Sequence, residues 1–192
     1  MQKRESFYCS IKKIKTTKWT PAPRECSTLT FVNYSAFLLG GLNYDVNREV
    51  ARLGISNLST DDLDEVRPEW ENIYYETSDN NLGKCRHTSV TYDDKIFSFG
   101  GCFMFNKKRM VRECTNQVTC YNVIHKTYTV VRTKGINVLP RKDHHAAIFG
   151  KSMLVYGGQF ENGSYSNELL NFDLEFYDWG YVNFKQTVEP FS

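Results

Sequence analysis

The sequence predicts an all-β protein assembled from repeated sheets of four antiparallel strands. Three observations carry that expectation. Aromatic residues make up 15% of the 192 residues, with 13 Phe and 12 Tyr, and such side chains fit a pleated, half-buried surface better than a helix bundle. Helical periodicity is absent, whereas short apolar runs bounded by Gly, Pro, Asn and Asp recur. An apolar run ending in two glycines appears three times: YSAFLLGG at Gly40-Gly41, KIFSFGG at Gly100-Gly101 and SMLVYGG at Gly157-Gly158, the first glycines lying 60 and 57 residues apart. An interval this regular marks stacked supersecondary units rather than a single site.

Each unit opens at a basic corner. Sixteen residues before the first glycine stand Arg24, Lys84 and Arg141, preceded by Pro23, Gly83 and Pro140, and followed three residues later by Ser27, His87 and His144. The first strand comes next (CSTLTFV, HTSVTY, HHAAIFG), then a polar link at Asn33, Asp93-Asp94 or Gly150-Lys151, residues suited to tight turns. The second strand is apolar on both faces, as expected of a strand held between neighbouring sheets. It ends at the glycine pair, where Gly permits φ > 0 or a close backbone approach. For the third strand, NQVTCYNVIHKTY (116–128) lies on NELLNFDLEFYDW (167–179) without a gap. The first unit's counterpart starts at Asn47, and an acidic insertion, STDDLDEVRPEW, delays its closing aromatic to Trp70. The fourth strand is expected to open at Trp70, Tyr128 and Trp179.

The expected organisation is a basic arm, 1–18, holding FYCSIKKI (7–14) as a candidate outer strand of a neighbouring sheet, then units at 19–80, 81–137 and 138–192. The last of these ends in QTVEPFS (186–192), which reads as the lead-in to a further corner.

Four-stranded units of this length, with Gly-Gly after the second strand and an aromatic opening the fourth, resemble kelch repeats over residues 22–184. The resemblance implies three kelch-type β-propeller blades, plus the extra N-terminal strand, wound about a central channel. Propellers hold ~4–8 blades, and contiguous apolar patches beyond a few hundred Å² seldom stay exposed on a monomer. Remaining blades are therefore expected from the same longer chain or from a second copy.

Composition narrows the function. No run approaches the roughly 18 apolar residues of a membrane span, so no membrane partner is expected. The formal net charge is +2. The arm 1–18 carries +5 (Lys3, Arg4, Lys12, Lys13, Lys15 and Lys18 against Glu5), which leaves −3 elsewhere. With only Phe7 and Tyr8 in the arm to stack on bases, nucleic acid is not expected either. The N-terminus lacks the apolar core of a secretory signal. This predicts a cytoplasmic protein in which Cys9, Cys26, Cys85, Cys102, Cys114 and Cys120 stay reduced and the sequons at Asn33, Asn57 and Asn162 go unused. Cys85 and Cys102 flank one strand pair and are expected near each other.

No CxxC, P-loop, E-x-x-H or G-x-S-x-G pattern occurs. Asp143-His144-His145 is the densest polar cluster, but His144 shares its slot with His87, which favours a structural hydrogen bond over a metal ligand. His125 falls in the turn before the fourth strand. The ligand sets of kelch-type copper oxidases and nitrile-forming enzymes do not map onto this sequence. No catalytic residue, metal site or cofactor is assigned.

Resemblance to the kelch adaptors of ubiquitin ligases implies a protein-interaction scaffold. Such a scaffold grips a partner, for example an acidic peptide, through corner and post-Gly-Gly loops on one propeller face. The positions that match are Arg86, together with Asn43, Tyr44, Phe103 and Gln159; Arg24, Lys84 and Arg141 recur in the corners as further candidate contacts, although recurrence favours a structural ion pair. Arginine suits carboxylates because its planar donor fork matches them. Cys26 and Asp143 fill the slot of Arg86 in the other units, so a pocket of several arginines is not expected. One rival reading is a structural subunit of a cytoskeletal or ciliary assembly, with the arm and the acidic run 61–71 as contacts. Another is an enzyme, which requires convergent ionisable side chains at the channel mouth. Purified 1–192 is expected to self-associate or to bind an apolar dye; a monomer by light scattering that takes up no dye would contradict exposed blade faces.

Overall fold

The computed structural model describes residues 18–43, 45–46, 48–54, 68–79, 82–106 and 111–182. The expected strand 7–14, Tyr44, most of the acidic insertion and the lead-in 186–192 lie outside these residues.

The first unit contains β1 (Thr28–Val32), β2 (Ser35–Leu39), β3 (Leu42–Asn43), β4 (Asp45–Val46), β5 (Val50–Gly54) and β6 (Trp70–Ile73). The second contains β7 (Thr88–Tyr92), β8 (Lys95–Phe99), β9 (Cys102–Asn106), β10 (Val111–Cys114), β11 (Val118–Asn122) and β12 (Thr127–Val131). The third contains β13 (Lys134–Gly135), β14 (His145–Phe149), β15 (Ser152–Tyr156), β16 (Leu169–Asp173) and β17 (Asp178–Tyr181). They form three antiparallel sheets in the orders β1-β2-β5-β6, β7-β8-β11-β12 and β14-β15-β16-β17. The first strands lie side by side, β1 against β7 and β7 against β14, so the sheets fan outward as blades. There is no helix among the described residues, and hence none long and apolar enough to cross a membrane.

The strands follow the sequence pattern closely. Asn33, Asp93 and Gly150 open the first hairpin of each blade with φ of 51°, 51° and 57°, a left-handed turn that Asn, Asp and Gly tolerate. The fourth strands of the second and third blades begin one residue ahead of the expected aromatic, because Thr127 pairs with Asn122 and Asp178 with Asp173 to close the turns. Two hairpins, β3–β4 and β9–β10, fill what reads in sequence as variable loop. Straps between blades are the other addition. Glu76 bridges Thr127 in parallel, and β13 runs parallel to β17, pairing Lys134 with Asp178 and Gly135 with Trp179. Each strap thus ties the segment leaving one blade to the outer strand of the next.

The core lies between the blades. Ile96 and Tyr121 face the first blade and meet Val32, Phe37 and Leu39. Phe97, Phe99 and Val118 face the third and meet Met153, Val155, Phe172 and Trp179. This two-sided burial explains the unbroken apolar run of β8. The inner strands are also laced by hydroxyls: Thr28 and Ser89 share a hydrogen bond of 2.8 Å, and Thr30 and Thr91 one of 3.0 Å. Leu29 and Phe31 on the first sheet, and Phe149 and Tyr156 on the third, remain more than half exposed.

The glycine pairs sit where blades touch. A Cβ on Gly40 (φ 61°) would stand 2.3 Å from the Lys84 carbonyl oxygen of the next blade, and one on Gly100 (φ 63°) 2.7 Å from that of Arg141. The second glycines bridge the same junctions, Gly41 N–H donating to Lys84 O at 2.9 Å and Gly101 N–H to Arg141 O at 2.8 Å. At Gly157 (φ 70°) a Cβ would meet only Ser166 O, at 3.4 Å. Gly100→Ala combines left-handed strain with a main-chain clash and is expected to cost at least about 3 kcal/mol. Gly157→Ala carries the strain alone, about 1–2 kcal/mol. Urea unfolding of both variants checks this; equal losses would remove the blade contact as the cause.

Candidate functional site

The corners that precede the inner strands must reverse the chain within one residue. Cys26, Arg86 and Asp143 do so with φ of 54°, 60° and 55°, in a region that L-residues enter at a cost of about 1–2 kcal/mol. Backbone bonds between blades hold them there: Arg86 N–H donates to Cys26 O at 3.0 Å, and Asp143 N–H to Arg86 O at 3.1 Å. Every corner also pairs with the residue just beyond its own glycines, Glu25 with Leu42, Cys85 with Cys102 and Lys142 with Gln159. Corner and post-Gly-Gly segments therefore share one end of the fan. A hollow of about 360 Å³ opens there, lined by Cys26, Ser27, Arg86, His87, Asp143, His144 and His145.

Arg86 is the accessible corner cation. Its side chain is 39% exposed and that of Asp143 44%, and Nη1 donates to Asp143 Oδ2 at 2.9 Å. The Asp143 carboxylate raises the guanidinium pKa above its ordinary value. On the post-Gly-Gly segments, Asn43, Phe103 and Gln159 are half-buried, and Gln159 Nε2 donates to Gly163 O at 3.1 Å. Tyr44 lies outside the described residues.

Arg24, Lys84 and Arg141 are placed differently: all three side chains are buried. Arg141 donates to Gly157 O at 3.2 Å, to Ser166 Oγ at 3.1 Å and to Glu168 Oε2 at 2.7 Å. Arg24 pairs with Glu49 and donates to Gly40 O at 3.2 Å. Each of these arginines braces its own glycine corner to the third strand. Glu168 is held below the usual carboxylate range, first by its hydrogen bond from Arg141. Glu49, Gln117 and Glu168 all stand one residue before the third strand. The sequence reading missed this row of acceptors, although that fixed position is visible in the chain.

The second unit breaks the pattern. Gln117 stands where the other units have glutamate, its Oε1 is buried without a partner, and Lys84 Nζ reaches only as far as Gln117 O, at 3.5 Å. Burial pushes the Lys84 pKa down to about 7. His87 and His144 occupy their shared slot as hydrogen-bonding residues: Nε2 meets Thr28 Oγ1 at 3.0 Å in one and Thr88 Oγ1 at 2.8 Å in the other. Burial is the main cause that lowers both to about 3, so both rings are neutral at neutral pH, with Nδ1 buried and unpartnered. His125 is exposed in the β11–β12 turn. Among the described residues no group of three His, Cys, Asp or Glu is placed to hold a metal. At the described ends of the acidic run, Glu69 pairs with Lys18 at 2.6 Å and Glu71 with Arg52 at 3.6 Å.

Comparison with known proteins follows the same lines. A family model for the KLHDC2/KLHL20/DRC7 Kelch-repeats domain matches residues 86–191, more than half of the chain. Kelch-like protein 15 of Homo sapiens is 25% identical over 187 residues, covering 91% of this chain and 30% of its own length. The dynein alpha chain of the flagellar outer arm of Chlamydomonas reinhardtii is 27% identical over 172 residues, 88% of this chain but 4% of that protein. The solved structure of YjhT superposes with a TM-score of 0.65 at 16% identity, over 88% of this chain and 54% of that one, a likeness of fold. The chain thus spans less than a third of the length of the Kelch-like protein 15 relatives.

The lone buried lysine gives stability a pH dependence. Folded Lys84 releases its proton near pH 7, whereas in the unfolded chain it holds it to about 10.5. Between these values the unfolded state binds the extra proton, so stability rises with pH across the window, by up to ~1.4 kcal/mol per pH unit, and falls towards pH 7. Lys84→Met is expected to flatten this slope. Gln117→Glu is expected to flatten it too, by giving Lys84 the partner that Arg141 has. Urea titrations at pH 7.5 and 9 measure it, and an unchanged slope in both variants would exclude Lys84 as its source.

Proposed function

The chain belongs to the kelch-repeat family, and on that footing we propose that it is a non-catalytic protein-interaction scaffold or adaptor acting in the cytoplasm. It engages a protein partner through the end face built from its corners and post-Gly-Gly segments. Arg86 is the central contact, and the ligand chemistry that fits it is a carboxylate on an acidic peptide. The observation that carries this reading is the exposed Arg86–Asp143 pair at the mouth of the hollow. An exposed ion pair contributes little to stability, so Arg86 can exchange Asp143 for a partner's carboxylate at small cost, while its left-handed backbone holds it in place.

Binding is favoured over catalysis by the state of the ionisable groups that converge there. Arg86 and Asp143 neutralise each other, and His87 and His144 are kept uncharged and bonded to threonine hydroxyls. Neither of these two buried imidazoles is poised for proton transfer near pH 7. Arg24, Lys84 and Arg141 enter this reading as the frame behind the face, because their side chains point inward. We further propose that additional blades of the same longer chain cover the outward faces bearing Leu29, Phe31 and Tyr156. The greater length of Kelch-like protein 15 and of the YjhT chain supports that source over a second copy.

Fluorescence anisotropy with a labelled glutamate-rich peptide tests the face. Arg86→Ala is expected to weaken binding about tenfold or more, from the loss of a charge-assisted hydrogen-bond pair. Asp143→Asn, which frees Arg86, is expected to strengthen it. Indifference of the affinity to both changes would place the recognition surface elsewhere.

A further inference from the structure

Four of the five described cysteines gather behind the same end face. Cys85, Cys102 and Cys114 form a buried cluster with Cys26 packed against it, whereas Cys120 lies in the core between the second and third blades. They come from three segments: the corners, the residue after Gly101, and the return strand of the β9–β10 hairpin. Within the cluster, Cys102 Sγ and Cys114 Sγ are 3.5 Å apart, the two residues lying twelve apart in sequence.

Strand geometry separates the candidate pairings. Cys102 N–H donates to Cys85 O at 2.8 Å and Cys102 O accepts from Cys85 N–H at 3.0 Å. Both backbone groups of Cys102 thus point towards Cys85. On its other side Cys102 stands opposite Cys114, just past a register shift between Arg112 and Cys114, and because Thr115 N–H donates to Gly101 O at 2.9 Å beyond it that pair is the non-hydrogen-bonded kind. In antiparallel sheets such pairs bring Cα atoms to about 4.5 Å and side chains closest together, against about 5.5 Å for a hydrogen-bonded pair. A separation of about 4.5 Å lies within the range a disulfide spans.

We propose that Cys102 and Cys114 are an oxidation site of this protein, closing into a reversible disulfide across the base of the β9–β10 hairpin when the chain meets hydrogen peroxide. Cys114, 9% exposed against 1% for Cys102, is the sulfur that peroxide reaches. Its thiolate attacks one peroxide oxygen, the O–O bond breaks, and the departing hydroxide takes a proton to leave as water, giving the Cys114 sulfenic acid. Cys102 sulfur then attacks Cys114 sulfur, the S–OH bond breaks, and hydroxide leaves with the Cys102 proton as a second water. Two thiols lose two electrons and two protons in all, and one peroxide is reduced to two waters. Burial raises the Cys102 thiol pKa, which leaves the first step to Cys114; Cys102 enters in the second, where its sulfur, 3.5 Å away, already lies alongside the sulfenic sulfur. A dithiol reverses the step by exchange. The staple closes the base of the hairpin that carries Phe103, where Cys102 bridges Cys85 beside the Arg86 corner.

The test uses the full chain, reduced, exposed to peroxide, quenched, alkylated and digested without reductant. The expected product is a peptide pair joined through Cys102 and Cys114, with Cys85 and Cys120 alkylated, at a yield that does not depend on protein concentration. Amide exchange across 102–114 is expected to slow at least tenfold on oxidation and to return with dithiothreitol. Cys114→Ser should leave Cys102 alkylatable and abolish the slowing, while Cys85→Ser keeps both. If the peroxide-treated wild-type chain instead bridges Cys102 to Cys85, carries only sulfinic or sulfonic acids, or stays fully alkylatable, the proposal is overturned. The wild-type experiment decides this even if a serine variant fails to fold.

Discussion

The structure depends on one contact between main chains: the first glycine of each of the first two pairs packed against the carbonyl of the next blade's basic residue. At Gly40 and Gly100 the approach leaves no room for a Cβ, and the neighbouring glycine N–H closes it with a hydrogen bond. The basic residue thereby acts twice. Its carbonyl clasps the blade before it, while its side chain turns into its own blade and, in Arg24 and Arg141, holds that blade's glycine carbonyl at 3.2 Å. Links of this kind repeat only if base and glycine keep their separation. Both demands therefore fall on the basic residue, sixteen positions before the first glycine of its own blade.

Features that depend on local backbone chemistry could be read from the chain. Gly-Gly, Asn33, Asp93 and Gly150 are required by dihedral angles, and the apolar run of β8 follows from burial between two sheets, so strands and turns were visible. Features set by pairing across tens of residues could not be read in the same way. The inward course of Arg24, Lys84 and Arg141 is decided by Glu49, Gln117 and Glu168, which lie 25, 33 and 27 residues further on. A recurring charge reads equally as a recurring surface or a recurring brace until its acceptor is known. The β9–β10 hairpin forms a two-stranded sheet of its own, and the straps at Glu76 and Lys134 carry no strong alternation, since they are stabilised by the outer strands they join.

The middle unit departs most from the others, and its departures cluster. It alone has lysine in place of arginine at the brace and glutamine in place of glutamate as its acceptor. An arginine fills its corner slot, and cysteine follows its glycines. Substituting Lys84 and Gln117 removes an ion pair that the flanking units keep, leaving a buried amine that burial forces towards neutrality. A buried ion pair in a repeated frame contributes uncertainly to net stability, whereas a single unpaired partner is costly. A unit flanked by packed neighbours on both sides, as the second is, can carry that cost, because its glycine clasps are complete at both junctions.

This division explains where variation is tolerated. The corners are held by backbone groups, Arg86 N–H to Cys26 O and Asp143 N–H to Arg86 O, and by dihedral angles that three chemically different residues adopt equally. Nothing in that scaffold reads the side chain. Cysteine, arginine and aspartate can therefore occupy one slot with one geometry, and the end face can change its charge without disturbing a blade. The exposed Arg86–Asp143 pair is the pattern that this freedom produces when two adjacent corners carry opposite charge.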